Sequence, residues 1–246
     1  MRNRTPCSIM TAAVLLGGLM GLAGCASGPL AGGGGPEPGT GRWSLAGEWK
    51  GTPALGQDGT LYLGKEENRL VALGPGGKER WAFAGLPADP TTPALGPDGT
   101  VFVGSGGRVF AIAPGGDKRW AFKAGEWVHA APAVAPDGTV YACIDDGGLH
   151  ALTNDGHKRW TLPLEASEMA SAPAIGLDGT IYLGAYINAQ NEGRLYAVSP
   201  EGALRWRVAI GDAVNTAPAI GPEGTIYVGA RDHRVYAVTP EGENGT

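Results

Sequence analysis

Residue types that could do chemistry are sparse in this chain. Cys143 could serve as a nucleophile or metal ligand, but it lies in the β-prone run TVYACI, where a lone cysteine is typically a small buried hydrophobic residue. Asp145 and Asp146 form a carboxylate pair that could bind calcium, yet no further oxygen ligands follow at the spacing of a calcium loop. The sequence therefore predicts an inert thiol and a solvated turn.

The sequence also gives little support for a phosphate-binding loop or a histidine-based site. The stretch GTLYLGKE, residues 59–66, matches a phosphate-binding loop until Glu66, which stands where that loop has the serine or threonine that holds magnesium. Its middle is β-prone and no helix follows, so we interpret the match as a coincidence. His150, His157 and His233 have no sequence-adjacent partner at metal-site or triad spacing, which favours packed or solvated roles. We expect no catalytic residue, no metal and no cofactor.

Composition limits the class of partner. The 246 residues carry a formal net charge of -5 and 43 glycines, and no cluster of Lys and Arg lies outside the extreme N-terminus. A nucleic-acid surface needs a basic stripe, so we expect no nucleic-acid partner. Hydrophobic residues make up 43% of the chain, enough for a folded core.

The N-terminus predicts export and a lipid anchor. Arg2 and Arg4 precede the apolar stretch AAVLLGGLMGLAG, and the segment LAGC ending at Cys25 resembles the bacterial lipoprotein signal. The resemblance implies cleavage after residue 24 and a diacylglyceryl group on the Cys25 thiol. Residues 25–41 would then be the lipidated cysteine with a Gly/Pro-rich tether, and residues 42–246 the folded domain. The alternative is an ordinary secretory signal with a chance cysteine.

The folded domain is a repeat. Five segments of the type TPALGPDGTVFVG align, and the threonines that close their Asp-Gly or Glu-Gly turns lie about 40 residues apart, at Thr60, Thr100, Thr139, Thr180 and Thr225. Each segment is followed by a second alternating run, and four of the five continue to a tryptophan, at Trp81, Trp120, Trp160 and Trp206. Short alternating runs joined by tight turns predict small antiparallel sheets, which bury their faces by stacking around an axis. The pattern predicts an all-β fold, a β-propeller of five four-stranded antiparallel blades.

The spacing Ala197-Gly202-Trp206 recurs in three other units and resembles the tryptophan-docking motif of the PQQ-like propeller repeats. That family includes quinoprotein alcohol dehydrogenases and the propeller lipoprotein of the outer-membrane barrel-assembly machinery. The motif departs from the family pattern in having one residue fewer between alanine and glycine and no aspartate two residues after the alanine. The resemblance implies a structural docking role for the tryptophans, at Trp43, Trp81, Trp120, Trp160 and Trp206. The adjacent cysteines and eight blades of the quinoprotein enzymes are missing from this sequence.

A candidate binding face follows from the loops. If each blade runs from inner to outer strand, its first and third turns lie on one face, and its second turn and the links between blades lie on the other. The first turns are monotonous, whereas the links and the second turn AYINAQNEG vary and carry acidic and aromatic residues, which is typical of a functional face. The candidate residues are Glu48, Trp49, Asp89, Glu126, Trp127, His129, Glu168, Asp212, Tyr186 and Asn188. The alternative is that these are ordinary polar loop residues.

Trp43 suggests how the ring would close. It lies 38 residues before Trp81, in phase with the repeat, while the fifth unit has no tryptophan of its own. We expect the strand of residues 42–45 to pair with residues 234–238 and complete the fifth blade. The alternative is that the chain is a fragment of a longer propeller.

Together these features predict a lipid-anchored extracytoplasmic propeller, in the outer membrane or at the cell surface, that acts as a non-enzymatic scaffold or binding module for a protein partner of the cell envelope. Two alternatives stay open. One is a quinoprotein-type enzyme that binds PQQ or calcium. The other is a small-ligand or glycan sensor with Trp49 and Trp127 as its platform. The sequence does not fix the oligomeric state.

Overall fold

The computed structural model describes residues 43–145, 148–166 and 171–242. Within these ranges the chain forms five antiparallel sheets and no α-helix, so the all-β prediction is confirmed. Each sheet is built from strands that are consecutive in the chain. The predictions for Cys25, Asp146 and Glu168 lie outside the described residues, as do all others that concern residues 1–42, 146, 147, 167–170 and 243–246.

The strands have the following bounds. Sheet 1 contains β1 Trp49–Leu55, β2 Leu61–Lys65, β3 Arg69–Leu73 and β4 Glu79–Phe83. Sheet 2 contains β5 Ala94–Leu95, β6 Val101–Ser105, β7 Arg108–Ile112 and β8 Lys118–Lys123. Sheet 3 contains β9 Ala133–Val134, β10 Val140–Ile144, β11 Gly148–Leu152 and β12 Lys158–Pro163. Sheet 4 contains β13 Ala174–Ile175, β14 Ile181–Ile187, β15 Glu192–Val198 and β16 Leu204–Ile210, and sheet 5 contains β17 Ala219–Ile220, β18 Ile226–Ala230 and β19 Arg234–Val238.

The first turn of each sheet is fixed by its own side chains. In sheet 1, the Thr60 amide and hydroxyl donate to the Asp58 carboxylate, and Gly59 takes a positive φ of 77° that favours glycine. Arg80, in the fourth strand, also donates to Asp58. This clasp ties the outer strand of a sheet to its first turn, and it recurs with the same chemistry in sheets 2 to 4, as Asp98-Thr100-Arg119, Asp137-Thr139-Arg159 and Asp178-Thr180-Arg205.

Successive sheets pack face to face. The leading face of a sheet, which is directed at the next sheet along the chain, is formed in sheet 1 by Tyr62, Leu70 and Ala72. These residues contact the trailing face of sheet 2, which includes Val101 and Val103. Equivalent buried clusters join sheets 2 and 3, sheets 3 and 4, and sheets 4 and 5. The core is therefore a series of inter-sheet layers, as expected of a propeller.

Each tryptophan reaches over to the following sheet. The Trp81 Nε1 donates to the Pro114 carbonyl at 2.8 Å, and its ring lies against Gly116, where a Cβ would be 2.9 Å from the ring. Trp120, Trp160 and Trp206 make the same pair of contacts with the third turns of sheets 3 and 4 and of sheet 5. Only glycine has room for the indole at these positions, which explains why a glycine precedes each tryptophan by four residues.

The structure does not confirm the prediction of ring closure by the N-terminal strand. Sheet 5 has three strands, and residues 43–46 form no strand with β19. Trp43 instead donates to the Pro75 carbonyl and packs on Gly77, both in sheet 1. Among the described residues no buried cluster joins sheets 5 and 1.

Candidate interaction face

The loops fall into two groups that lie at opposite ends of the strands. On the turn face, first and third turns of the same sheet touch, as where a Cβ on Gly59 would meet Pro75 at 3.0 Å. On the link face, second turns bond to the links between sheets. Examples are the Val128 amide to the Gly106 carbonyl at 2.9 Å and the Arg231 amide to the Ala213 carbonyl at 3.1 Å.

Trp127, His129 and Asp145 form a compact patch on the link face. The rings of Trp127 and His129 are stacked, with centroids 5.8 Å apart and planes 7° apart. The His129 Nε2 lies 2.9 Å from an Asp145 carboxylate oxygen, and the Asp145 amide donates to the Trp127 carbonyl at 3.0 Å. Val128 between them is 3% exposed, whereas Trp127 is 52% exposed. A buried anchor thus holds an exposed indole in a fixed position, with the exposed Glu126 beside it.

The first two links are joined by charge. Lys50 lies 3.7 Å from a Glu48 carboxylate and 3.5 Å from that of Asp89, so these candidates are brought together. Trp49 is half-buried in β1, where its Nε1 donates to the Leu45 carbonyl and Lys65 lies over its ring at 5.2 Å. Trp49 is therefore a less open platform than Trp127.

The link face at sheet 4 is built around an arginine that the sequence analysis missed. Arg194 donates to Glu192 at 2.6 Å, to Glu165 at 2.7 Å and to the Gln190 amide oxygen at 2.6 Å, and its side chain is 13% exposed. Hydrogen bonds from Arg194 and Arg207 lower the pKa of the Glu165 carboxyl. In the sequence, this network is indicated only by the opposite charges of Glu192 and Arg194 in the stretch NEGR. The same stretch is equally typical of a solvent-exposed turn.

The predicted long turn of sheet 4 is largely strand. Tyr186 lies in β14, and its hydroxyl donates to the Asn191 side chain at 2.6 Å. Asn188 begins the short turn of residues 188–191. Asp212, in the last link, is half-buried, and its carboxylate accepts from the Ala213 amide at 2.6 Å. The candidate residues that the structure describes are thus distributed over successive links.

A groove of about 460 Å³ lies instead on the turn face, between Arg119, Trp120, Asn154 and Asp155. Arg119 belongs to the clasp of sheet 2, and Trp120 docks on the third turn of sheet 3. Two of the four residues that line the groove therefore stabilise the fold. The Asn154 Oδ1 is buried without a hydrogen-bond partner. Asn154 stands where the other third turns have proline, and its carbonyl still receives the tryptophan.

The Cys143 and His150 side chains are packed in the core. Cys143 is buried, and desolvation raises the pKa of its thiol to about 12, so the thiol stays protonated and unreactive. His150 is 5% exposed, and its ring centroid lies 6.3 Å from that of Phe122. It is therefore a packed side chain, as the sequence pattern indicated. In the described ranges no group of three or more His, Cys, Asp and Glu is placed to hold a metal ion. No helix in the part of the chain that the structure describes is long and apolar enough to cross a membrane.

Comparison with known proteins gives one family and two informative structures. The family model described as outer membrane protein assembly factor BamB matches residues 75–244. The crystal structure of BamB from Moraxella catarrhalis superposes with a TM-score of 0.65 at 19% identity, over 80% of this chain and 63% of that protein. A protein of unknown function from Bacteroides caccae superposes with a TM-score of 0.58 at 13% identity, over 82% of this chain and 81% of that protein. No curated protein matches the chain.

Proposed function

Because this chain belongs to the PQQ-like repeat family described as outer membrane protein assembly factor BamB, we propose that it is a non-enzymatic cell-envelope propeller whose link face binds a protein partner. The observation that carries the proposal is the exposed Trp127, which is stacked on His129 beside Asp145. Tryptophan is enriched among the residues that dominate protein interfaces.

The contrast with the turn face supports this choice of surface. Four first-turn aspartates are engaged by threonine and arginine of their own sheet, which leaves little unsatisfied charge there for a partner. On the link face, Glu126 and Glu48 are exposed carboxylates next to an indole. We expect the partner surface to be basic and to carry an apolar pocket for Trp127.

A Trp127→Ala variant tests the face directly. Partner complexes would be isolated from detergent-solubilised cells by affinity capture, and the affinity then measured with the purified partner. Loss of an interface tryptophan often costs about 2 kcal/mol, which is roughly a 30-fold weaker affinity. Leu177→Ala is the matched control, since Leu177 is an exposed apolar residue on the turn face of sheet 4. Equal weakening by both variants would place the partner elsewhere.

Membrane attachment through Cys25 is part of the same proposal. The family description supports an envelope location, and the LAGC segment supports lipidation of the cysteine. Cys25→Ser should leave the protein unprocessed or in the soluble fraction, because stable residence needs two acyl chains. Mass spectrometry of the N-terminal peptide from wild-type membranes provides the measurement, and a mature terminus without lipid would contradict the anchor.

The quinoprotein alternative calls for a different result. A PQQ- or calcium-binding propeller would be stabilised by its ligand in proportion to the logarithm of ligand concentration. The scaffold proposal predicts an unchanged melting temperature in titrations with calcium, PQQ or both. A rise of several degrees would favour the enzyme. Retention of the chain on immobilised glycans, lost in Trp127→Ala, would favour the sensor.

A further inference from the structure

The leading face of sheet 5 is uncovered. Val235 is 77% exposed and Tyr227 is 41% exposed. Their counterparts in sheets 1 to 4 lie against the next sheet, and the four residues equivalent to Val235 are all 0% exposed, namely Leu70, Val109, Leu149 and Leu195. Sheet 5 therefore presents half of an inter-sheet interface.

The trailing face of sheet 1 is the other half. Leu55 is 67% exposed, and Leu61 and Leu63 are half-buried. The residues equivalent to Leu61 in the other sheets are each 0% exposed, namely Val101, Val140, Ile181 and Ile226. The two uncovered surfaces are thus the two complementary sides of the interface that the chain repeats four times.

Among the described residues, sheet 5 has three strands, whereas each of the other sheets has four. Within the described residues, β19 pairs with β18 alone. Conversely, Trp43 occupies the docking position on sheet 1 without belonging to a sheet, and its Nε1 is 2.9 Å from the Pro75 carbonyl. Among the described residues, sheet 5 thus has no strand that carries a docking tryptophan, whereas Trp43 fills the docking position on sheet 1 from outside any sheet.

The charges are complementary in the same way. Arginine precedes the docking tryptophan in sheets 1 to 4, and Arg42 precedes Trp43 in the sequence. In sheets 1 to 4 that arginine donates to the first-turn aspartate. In sheet 5 the equivalent acid is Glu223, which accepts from the Tyr227 hydroxyl at 3.4 Å and is paired with no arginine among the described residues.

We propose that sheet 5 binds a second copy of this chain, head to tail. Residues 43–46 of the second copy add the fourth strand to β19, and sheet 1 of the second copy covers Tyr227 and Val235. Within one chain, sheets 5 and 1 share no buried cluster among the described residues. Such a heterologous contact closes into a ring or extends into a filament, and it lies on a surface separate from the link face.

The register of the added strand follows from the other sheets. In sheet 1, Trp81 lies opposite Ala72 and Phe83 lies opposite Leu70. The same register places Trp43 opposite Ala237 and Leu45 opposite Val235. Leu45 is 42% exposed, so neither Leu45→Cys nor Val235→Cys removes a buried contact.

Disulfide trapping in mixed full-length chains tests the pairing. One tagged chain carries Leu45→Cys and a second, with a different tag, carries Val235→Cys, and each single variant alone controls for the native cysteines. We expect a mixed dimer under mild oxidation. The matched control pairs Leu45→Cys with Leu177→Cys, which is more exposed than Val235 but lies on the turn face of sheet 4, and it should give no mixed dimer.

Sedimentation of the purified full chain gives an independent readout. The wild type should associate with rising concentration, and Val235→Asp should weaken this association at least tenfold while Leu177→Asp leaves it unchanged. A disulfide formed only within a chain that carries both Leu45→Cys and Val235→Cys would overturn the proposal in favour of closure by the same chain. A monomeric wild type at all concentrations, with no mixed dimer, would overturn it as well.

Discussion

The first turns of sheets 1 to 4 and the links between the sheets use similar polar residues in different ways. Each first-turn aspartate has the same threonine and arginine partners, so the turn face repeats one structural solution. The links each make a different set of contacts, such as Lys50 with Asp89 in one and His129 with Asp145 in another. The repeated contacts stabilise the fold, whereas the contacts that vary lie on the candidate binding surface.

The largest effect should come from removing a docking tryptophan. Trp160 is half-buried between sheets 3 and 4, with its Nε1 3.0 Å from the Pro200 carbonyl. Trp160→Ala should lower the free energy of unfolding by about 3 kcal/mol or more, because it leaves a cavity in an inter-sheet layer. Denaturant unfolding provides the measurement. A change below about 1 kcal/mol would mean that the docking contacts contribute little to the fold.

Two adjacent glycines in the third turn of sheet 2, Gly115 and Gly116, allow a matched test of tryptophan docking. At Gly116 the backbone has a φ of 96° and an added Cβ would lie 2.9 Å from Trp81. Gly116→Ala should destabilise the protein by about 1–3 kcal/mol, since both the backbone and the indole must adjust. Gly115 has nothing within 4 Å of an added Cβ, so Gly115→Ala is the matched control and should be nearly neutral. Similar melting temperatures for the two variants would argue against tryptophan docking as the reason for Gly116.

Acid should loosen the clasps. Hydrogen bonds from the Thr180 hydroxyl and amide and from Arg205 outweigh burial and lower the pKa of Asp178 to about 2, below the ordinary 3.8. The folded state therefore binds fewer protons than the unfolded state, so this contribution is present above pH 4 and is lost as the pH falls towards 2. The carboxylate is exposed to solvent, which keeps the contribution below about 1 kcal/mol. Melting temperatures of Asp178→Asn should fall less steeply than those of the wild type between pH 4 and 2.

The smallest effect on stability should be at the link face. Trp127 is 52% exposed, so Trp127→Ala should change the free energy of unfolding by less than about 0.5 kcal/mol. Thermal unfolding beside Trp160→Ala provides the comparison. A loss of 2 kcal/mol or more would make Trp127 a structural residue and weaken its proposed role in binding.

The sequence predicted the repeat well because turn residues and alternation are local. It did not predict the clasp, although arginine precedes tryptophan in units 1 to 4. A hydrogen bond between the fourth strand and the first turn of a sheet is not visible in local patterns. The prediction that the strand containing Trp43 closes the ring is not confirmed by the structure. The 38-residue spacing gave the correct phase, and Trp43 does dock on sheet 1. Whether sheet 5 then meets sheet 1 depends on the stacking of all five sheets, which no single repeat encodes.

The central claim is that the varied link face is the binding surface and the repeated turn face is structural. Hydrogen–deuterium exchange of the purified chain with and without its captured partner tests this claim most directly, because both faces are followed in one experiment. We predict slower exchange at residues 125–129 and 186–192 in the complex and unchanged exchange at the first turns, including residues 96–100. Slower exchange at the first turns, with the links unchanged, would contradict the account.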